Sequence, residues 1–194
     1  VSVFRPESTV AVDRIPVGRR PQALAITPDR EWVYVANAGD NSVSVIHVLF
    51  GHDGAFTGFV DRSVGDNGQL ITGADPNSVV CSPDGKRVFV SNGQQDTITV
   101  INAETRKIIG HVDLHNSIAN DPDRRRHFQP GGLAVTPDNT KLYVTRFLSF
   151  TKPGGRQGDD LGKEGAVAVL DISTSSTSIA DYKVSRVVTL AAQP

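Results

Sequence analysis

The segment HNSIANDPDRRRHFQPGG, which opens at His115, concentrates chemistry-bearing side chains: His115, Asp121, Asp123, Arg124, Arg125, Arg126 and His127. Arginine forks match carboxylate and phosphate oxygens two at a time. His115, Arg124, Arg126 and His127 are therefore candidate ligands for an anion. The same composition also suits a solvated loop laced by its own salt bridges. Arg146 is a further candidate. It opens a second long insertion, RFLSFTKPGGRQGDDLGKEG, where it either faces a ligand or pairs with Asp159 or Asp160. Asp75 completes the candidate set, one of several acidic loop residues with Asp66, Asp159, Asp160 and Glu164. Two carboxylates held together can do general acid–base work, but no spacing here fixes a pair.

Metal and cofactor chemistry find less support. His111, His115 and His127 could ligate a metal or a haem iron. No HxH, HxxxH or HExxH pairing places two of them on one surface, so no metal is expected. His47 and His52 are expected on the opposite side. The oxygen-ligand pattern DxDxDG, the dinucleotide pattern GxGxxG and the haem-attachment pattern CxxCH are all absent. Cys81 is the single cysteine. It aligns with Ala25 and Ala134, or one residue further on, and is expected to be a buried small hydrophobe rather than a nucleophile. Asn37 and Asn92 are expected to bond loop backbone. No cofactor is predicted within this stretch, and no complete catalytic set is present.

Composition narrows the classes further. A net charge of −1 and a pI near 6.6 give no basic footprint for nucleic acid. No apolar run reaches the roughly 18 residues of a membrane span. Eighteen glycines and eleven prolines among many Val and Ile suit short strands joined by tight turns.

Those turns repeat. PQALAITPDREWVYVAN from Pro21, PNSVVCSPDGKRVFVSN from Pro76 and PGGLAVTPDNTKLYVTR from Pro130 recur 55 and 54 residues apart. Each is followed by a similar run: NSVSVIH from Asn41, DTITVIN from Asp96 and GAVAVLD from Gly165. The opening VSVF matches VSVI 42 residues later, the usual length of a propeller blade. Each unit reads as four strands. Strand A (Ala23–Thr27, Ser78–Ser82, Leu133–Thr136) is a short apolar run expected to be buried on both faces. A [ST]PD turn follows. Its fourth residue (Arg30, Gly85 or Asn139) is expected at positive φ, which strains an arginine. Strand B is WVYVA, RVFVS and KLYVT; strand C is VSVI, ITVI and VAVL. Strand D is Thr9–Val17, Lys107–Leu114 and Arg186–Leu190. In the second unit it is Phe56–Val64 or Gln69–Thr72, with the first preferred.

The leading proline, the [ST]PD[GN] turn, the [YF]V[AST]N end of strand B and the VSVI run together resemble the YVTN family of β-propeller repeats. They do so three times in register. The resemblance implies an all-β propeller segment of four-stranded antiparallel blades, about three and a half blades of a seven-bladed ring. It implies a periplasmic, extracellular or surface-layer location. Residues 1–20 then supply strands C and D of a first blade, and 21–75, 76–129 and 130–194 the next three, all in one propeller domain. A half-blade exposes sheet edges, so the chain is expected to be a segment whose first partner is the rest of its own propeller.

In a propeller the D–A and B–C loops share one face. The additions before Pro76, before Pro130 and between Arg146 and Val167 are expected there, and loops on rigid scaffolds carry function. The opposite face receives tight turns and STSSTSIADYK, expected to be a solvated loop. The favoured expectation is a binding or structural module with a protein or ligand partner on the insertion-bearing face. HDGAFTGF, from His52, resembles a turn of lactonase-type propellers, which implies a hydrolase as the alternative. YVTN-like propellers also resemble the haem domain of cytochrome-type nitrite reductase, which implies a haem in a missing or partner domain. Fold resemblance alone does not choose among these.

Overall fold

The computed structural model describes residues 1–5, 9–50, 56–115, 127–147, 150–151 and 163–191. The chain forms antiparallel sheets in sequence order. β1 (Ser2–Phe4) and β2 (Ala11–Arg14) pair as a two-stranded sheet. The second sheet contains β3 (Pro21–Ile26), β4 (Trp32–Asn37), β5 (Ser42–Phe50), β6 (Phe56–Val60) and β7 (Gln69–Ile71). The third runs β8 (Pro76–Cys81), β9 (Arg87–Asn92), β10 (Thr97–Asn102) and β11 (Lys107–Asp113). The fourth contains β12 (Pro130–Val135), β13 (Lys141–Arg146), β14 (Phe150–Thr151), β15 (Lys163–Asp171) and β16 (Lys183–Ala191). The inner strands of each larger sheet follow chain order (β3-β4-β5, β8-β9-β10 and β12-β13-β15), with the short β14 pairing to the start of β15, the arrangement of a partial β-propeller.

Apolar residues alternate along the middle strands and fill the spaces between sheets. Tyr34, Val43 and Val45 of the second sheet pack with Val88, Val90 and Ile101 of the third. Phe89, Ile98 and Val100 of the third pack with Leu142, Val144 and Ala168 of the fourth. Ile15, Val35 and Ile46 hold the two-stranded sheet against the second. Burying each such side chain contributes about 1.5–3 kcal/mol.

The [ST]PD turns form as their residues require. Thr27, Ser82 and Thr136 each close the turn through backbone bonds to Trp32, Arg87 and Lys141. Each hydroxyl also donates to the turn aspartate, Asp29, Asp84 or Asp138. Those carboxylates accept N–H groups two residues on. Arg30, Gly85 and Asn139 all have positive φ, at 66°, 72° and 60°. Arg30 therefore occupies the same turn as its counterparts, at a cost glycine avoids.

Several expectations need correction. The outer edge of the second sheet is shared: β6 pairs with Ile46–Phe50 and β7 with Ser42–Ser44 of β5. Both candidate D segments are thus strands, each pairing with one end of a long strand C. Strand A is covered on both faces in β8, where Val79 packs into the core shared with the second sheet and Val80 against the core shared with the fourth, but not in β3. Ala23 and Ala25 pack toward the third sheet, while the alternating Leu24 and Ile26 are 55% and 48% exposed. A period of two separates these faces even in an unbroken apolar run. Cys81 pairs with Val88 as Ile26 pairs with Val33, so it corresponds to Ile26 and Val135. Its thiol is pushed up to about 12, first by burial and then by Asp29, which keeps it a poor nucleophile. The STSSTSIADYK segment docks on the third sheet: Tyr182 is 3% exposed and Ile179 sits over Gly110. An aromatic with a polar tip can bury its ring once the hydroxyl has partners.

Candidate functional site

The loop-bearing face is built from a repeated joint. The residue before each strand A proline has positive φ: Arg20 at 50°, Asp75 at 55° and Gln129 at 50°. The residue before strand C is likewise left-handed, Asn41 at 51° and Asp96 at 53°. Asn and Asp tolerate that conformation and offer an acceptor nearby. Asn41 Oδ1 accepts the Asp75 N–H at 3.0 Å, and Asp96 Oδ1 accepts the Gln129 N–H at 2.8 Å. Each bond ties the B–C turn of one sheet to the D–A loop entering the next. The two loop sets therefore share a face, as the propeller register requires.

Strand ends on this face are anchored from inside. Asn37 Nδ2 donates to Ser42 and Ser44 Oγ, and Asn92 Nδ2 to Thr97 and Thr99 Oγ1, at 2.8–3.2 Å. These asparagines bond strand C hydroxyls, not loop backbone. Strand B ends opposite the start of strand C, which brings those hydroxyls nearest. His111 Nδ1 lies 3.0 Å from Thr99 Oγ1 and extends this chain. Burial holds the imidazole below its usual range. His111 is thus engaged apart from His115 and His127. His47 stacks on Trp32 at 4.3 Å, at the other end of β5.

His115 and His127 converge. Their rings lie 5.6 Å apart, and both Nδ1 atoms face Asp96 Oδ2, at 3.2 and 2.8 Å. The Asp96 side chain is only 2% exposed, against 38% for His115 and 60% for His127. Burial pushes the Asp96 carboxyl upward. Hydrogen bonds from the Gln129 N–H and the two imidazoles outweigh it, and the net direction is down. Arg146 occupies the position of Asn37 and Asn92, opposite Pro130. Its guanidinium donates to the His127 carbonyl at 3.1 Å. Arg146 therefore braces this loop; Asp159 and Asp160, its other expected partners, lie outside the described residues, as do Arg124 and Arg126. Asp96 was not singled out from the sequence. Its signal was available: aspartate stands where the preceding unit has Asn41.

Asp75 lies in a neighbouring cleft of about 340 Å³. Arg20, Gln22, Asp75, Asn77, Gln129 and Phe147 line it, drawn from successive D–A loops, strand A starts and the fourth-sheet insertion. The Arg20 guanidinium stands 3.8 Å from the Asp75 carboxylate. Asn77 Nδ2 donates to the Pro130 carbonyl and so fixes adjacent inner strands. The cleft can take a small polar ligand between amides, one cation and one carboxylate.

Fold and joint together define a β-propeller with its polar cleft on the loop-bearing face. The family model described as "Lactonase, 7-bladed beta-propeller" matches residues 6–145. The match spans most of the chain, and the chain belongs to that family. No curated protein sequence matches it. Among solved structures it resembles a functionally unknown protein from Desulfotomaculum acetoxidans (18% identity, TM-score 0.61, covering 91% of this chain and 44% of that one). It also resembles hydrazine synthase of Kuenenia stuttgartiensis (21%, 0.58, 91% and 40%). A third likeness is a candidate 6-phosphogluconolactonase from Bacteroides fragilis (14%, 0.57, 97% and 45%). At such identities these likenesses show the fold. The chain spans less than half the length of each.

Proposed function

We propose that this chain supplies the substrate-facing part of a lactone hydrolase acting on a polyhydroxylated lactone. The carrying observation is the cleft that joins Arg20 and Asp75 to the side-chain amides of Gln22, Asn77 and Gln129. Amides pair with sugar hydroxyls, and a lone cation–carboxylate pair suits acyl chemistry. Asp75 takes a proton from the attacking water as its oxygen bonds to the lactone carbonyl carbon. Arg20 faces the oxyanion that forms. Collapse breaks the ring C–O bond, and the proton passes to the departing alkoxide, giving the open hydroxy acid. The family match supports this reading over the scaffold role favoured by the sequence alone, and the periplasmic or extracellular location remains a proposal from the YVTN resemblance.

The test is hydrolysis of a sugar δ-lactone by the full-length protein, followed as acid release. Asp75→Asn is expected to lower kcat by about 10²–10⁴-fold, the usual worth of a general base. Hydrolysis unchanged in this variant would reject the assignment. A partner-binding reading keeps one observation in its favour, Phe147, which is 72% exposed at the rim of the cleft. Phe147→Ala would then weaken partner capture by the full-length protein.

A further inference from the structure

We propose that Asp96, His115 and His127 form a binding site for a divalent transition-metal ion of the zinc class. Each offers one ligand atom, and these atoms all lie within 4.8 Å of one another. Two imidazoles and one carboxylate are a donor set for zinc and its neighbours, not for calcium or magnesium. Zinc bonds N and O ligands at about 2.0–2.2 Å, which sets tetrahedral ligand edges of roughly 3.3–3.5 Å. The two edges from Asp96 Oδ2 are already 3.2 Å to His115 Nδ1 and 2.8 Å to His127 Nδ1. A few tenths of an ångström of opening admits the ion. His127, 60% exposed, is free to supply that movement.

The carboxylate is prepared for this role. Asp96 Oδ1 is engaged by the Gln129 N–H, which orients the group and leaves Oδ2 toward the histidines. Its side chain is almost fully buried, whereas both imidazoles reach solvent. Among the described residues the site has three protein ligands, the arrangement that keeps a fourth position for water or another ligand. Histidine spacing in the sequence could not show this. His115 and His127 meet because both lie against the turn that supplies the third ligand, Asp96, from 19 residues upstream of His115.

The preceding unit supplies a control. Asn41 has the same backbone conformation and accepts the same pre-proline N–H through Oδ1. Asp96→Asn should therefore keep the structural bond to Gln129 while removing the anionic ligand. His127→Ala removes an exposed ring and leaves the core intact. Full-length protein, free of affinity tags and stripped with a chelator, is titrated with Zn²⁺ by calorimetry and with Co²⁺ by visible absorption. One equivalent is expected to bind, with an affinity that falls by more than about a hundredfold in each variant, beyond the usual effect of losing only a group that orients a ligand. Absence of saturable binding, or affinity retained in either variant, would overturn the site. Neither readout depends on lactone hydrolysis, so this site and the hydrolase reading fail separately.

Discussion

Removing one hydroxyl, in Tyr182→Phe, should loosen the docking of the fourth sheet's outer loop on the third sheet. Arg87 begins β9 and is 4% exposed. Its Nε donates to the Tyr182 hydroxyl at 2.9 Å, its Nη1 to the Lys86 carbonyl at 2.7 Å and its Nη2 to the Ser176 carbonyl at 2.6 Å. The Tyr182 hydroxyl donates in turn to the Ser173 carbonyl at 2.5 Å. Phenylalanine keeps the ring and its edge-on contact with Phe89, 6.2 Å between centroids. It leaves a buried, charged Nε–H without its acceptor. Hydrogen bonds to charged groups contribute about 1.5–3 kcal/mol. The two remaining guanidinium bonds hold the charge in place, so the loss should lie near 2 kcal/mol, about a thirtyfold change in the opening equilibrium at 25 °C. Native-state hydrogen exchange at the amides of Lys183–Val187 reads this opening directly. A double-mutant cycle with Arg87→Met should return most of the loss as coupling. A loss below about 0.5 kcal/mol, or no coupling, would refute the brace, since exposed polar substitutions fall in that range.

Three further outcomes follow from particular residues. The Asp96 carboxyl is held low in the folded chain, so its contribution is complete above the ordinary value of about 3.9 and is lost as pH falls through the folded value. Urea unfolding of metal-free protein should therefore weaken in acid, and Asp96→Asn should flatten that limb. Arg30→Gly relieves a φ of 66° at an exposed turn that Gly85 already fills in the next unit. It should raise stability by about 0.5–1 kcal/mol, measured as a shift in the urea midpoint. Gly18→Ala should cost about 1–3 kcal/mol by overpacking. Its Cβ would meet Asp40 Oδ2 at 2.6 Å and Asn37 Cγ at 2.7 Å, and thermal unfolding measures the cost.

The fold was legible because it rests on local rules repeated in register. Three [ST]PD turns and three alternating strand pairs set each sheet before any long-range contact is considered. What was hidden lay in contacts between units. Nothing in RVFVS marks Arg87 as buried, because its partners come from a loop some 90 residues on. The solvated reading of STSSTSIADYK holds for Ser175, Thr177, Ser178, Ala180 and Asp181, which are exposed, and misses Tyr182 for the same reason: composition describes a loop, while Tyr182 answers to a guanidinium on the neighbouring sheet. The candidate site was half legible. His115 and His127 stand out for their chemistry and do converge at one loop, and Arg146 braces that loop from the end of β13. In the sequence Asp96 reads as an ordinary turn residue, marked by nothing but its contrast with Asn41.

The two faces of the propeller use different means to join adjacent sheets. On the tight-turn face the joints are made by large side chains reaching across to the neighbouring sheet: the Tyr34 hydroxyl on the Ala103 carbonyl, Arg106 over Trp32, Arg87 on Tyr182 and Ser176. On the loop-bearing face each joint includes an acceptor on a left-handed turn residue, Asn41 or Asp96. Asparagine suffices for it, as Asn41 shows. Replacing that asparagine with aspartate adds nothing to the backbone bond, and burying the extra charge is costly unless it is compensated. At Asp96 the compensation comes from two imidazoles carried in by the next D–A loop. The structural position is thus held by Oδ1 and the chemistry by Oδ2, so a site can be added to one joint of the ring without disturbing the others.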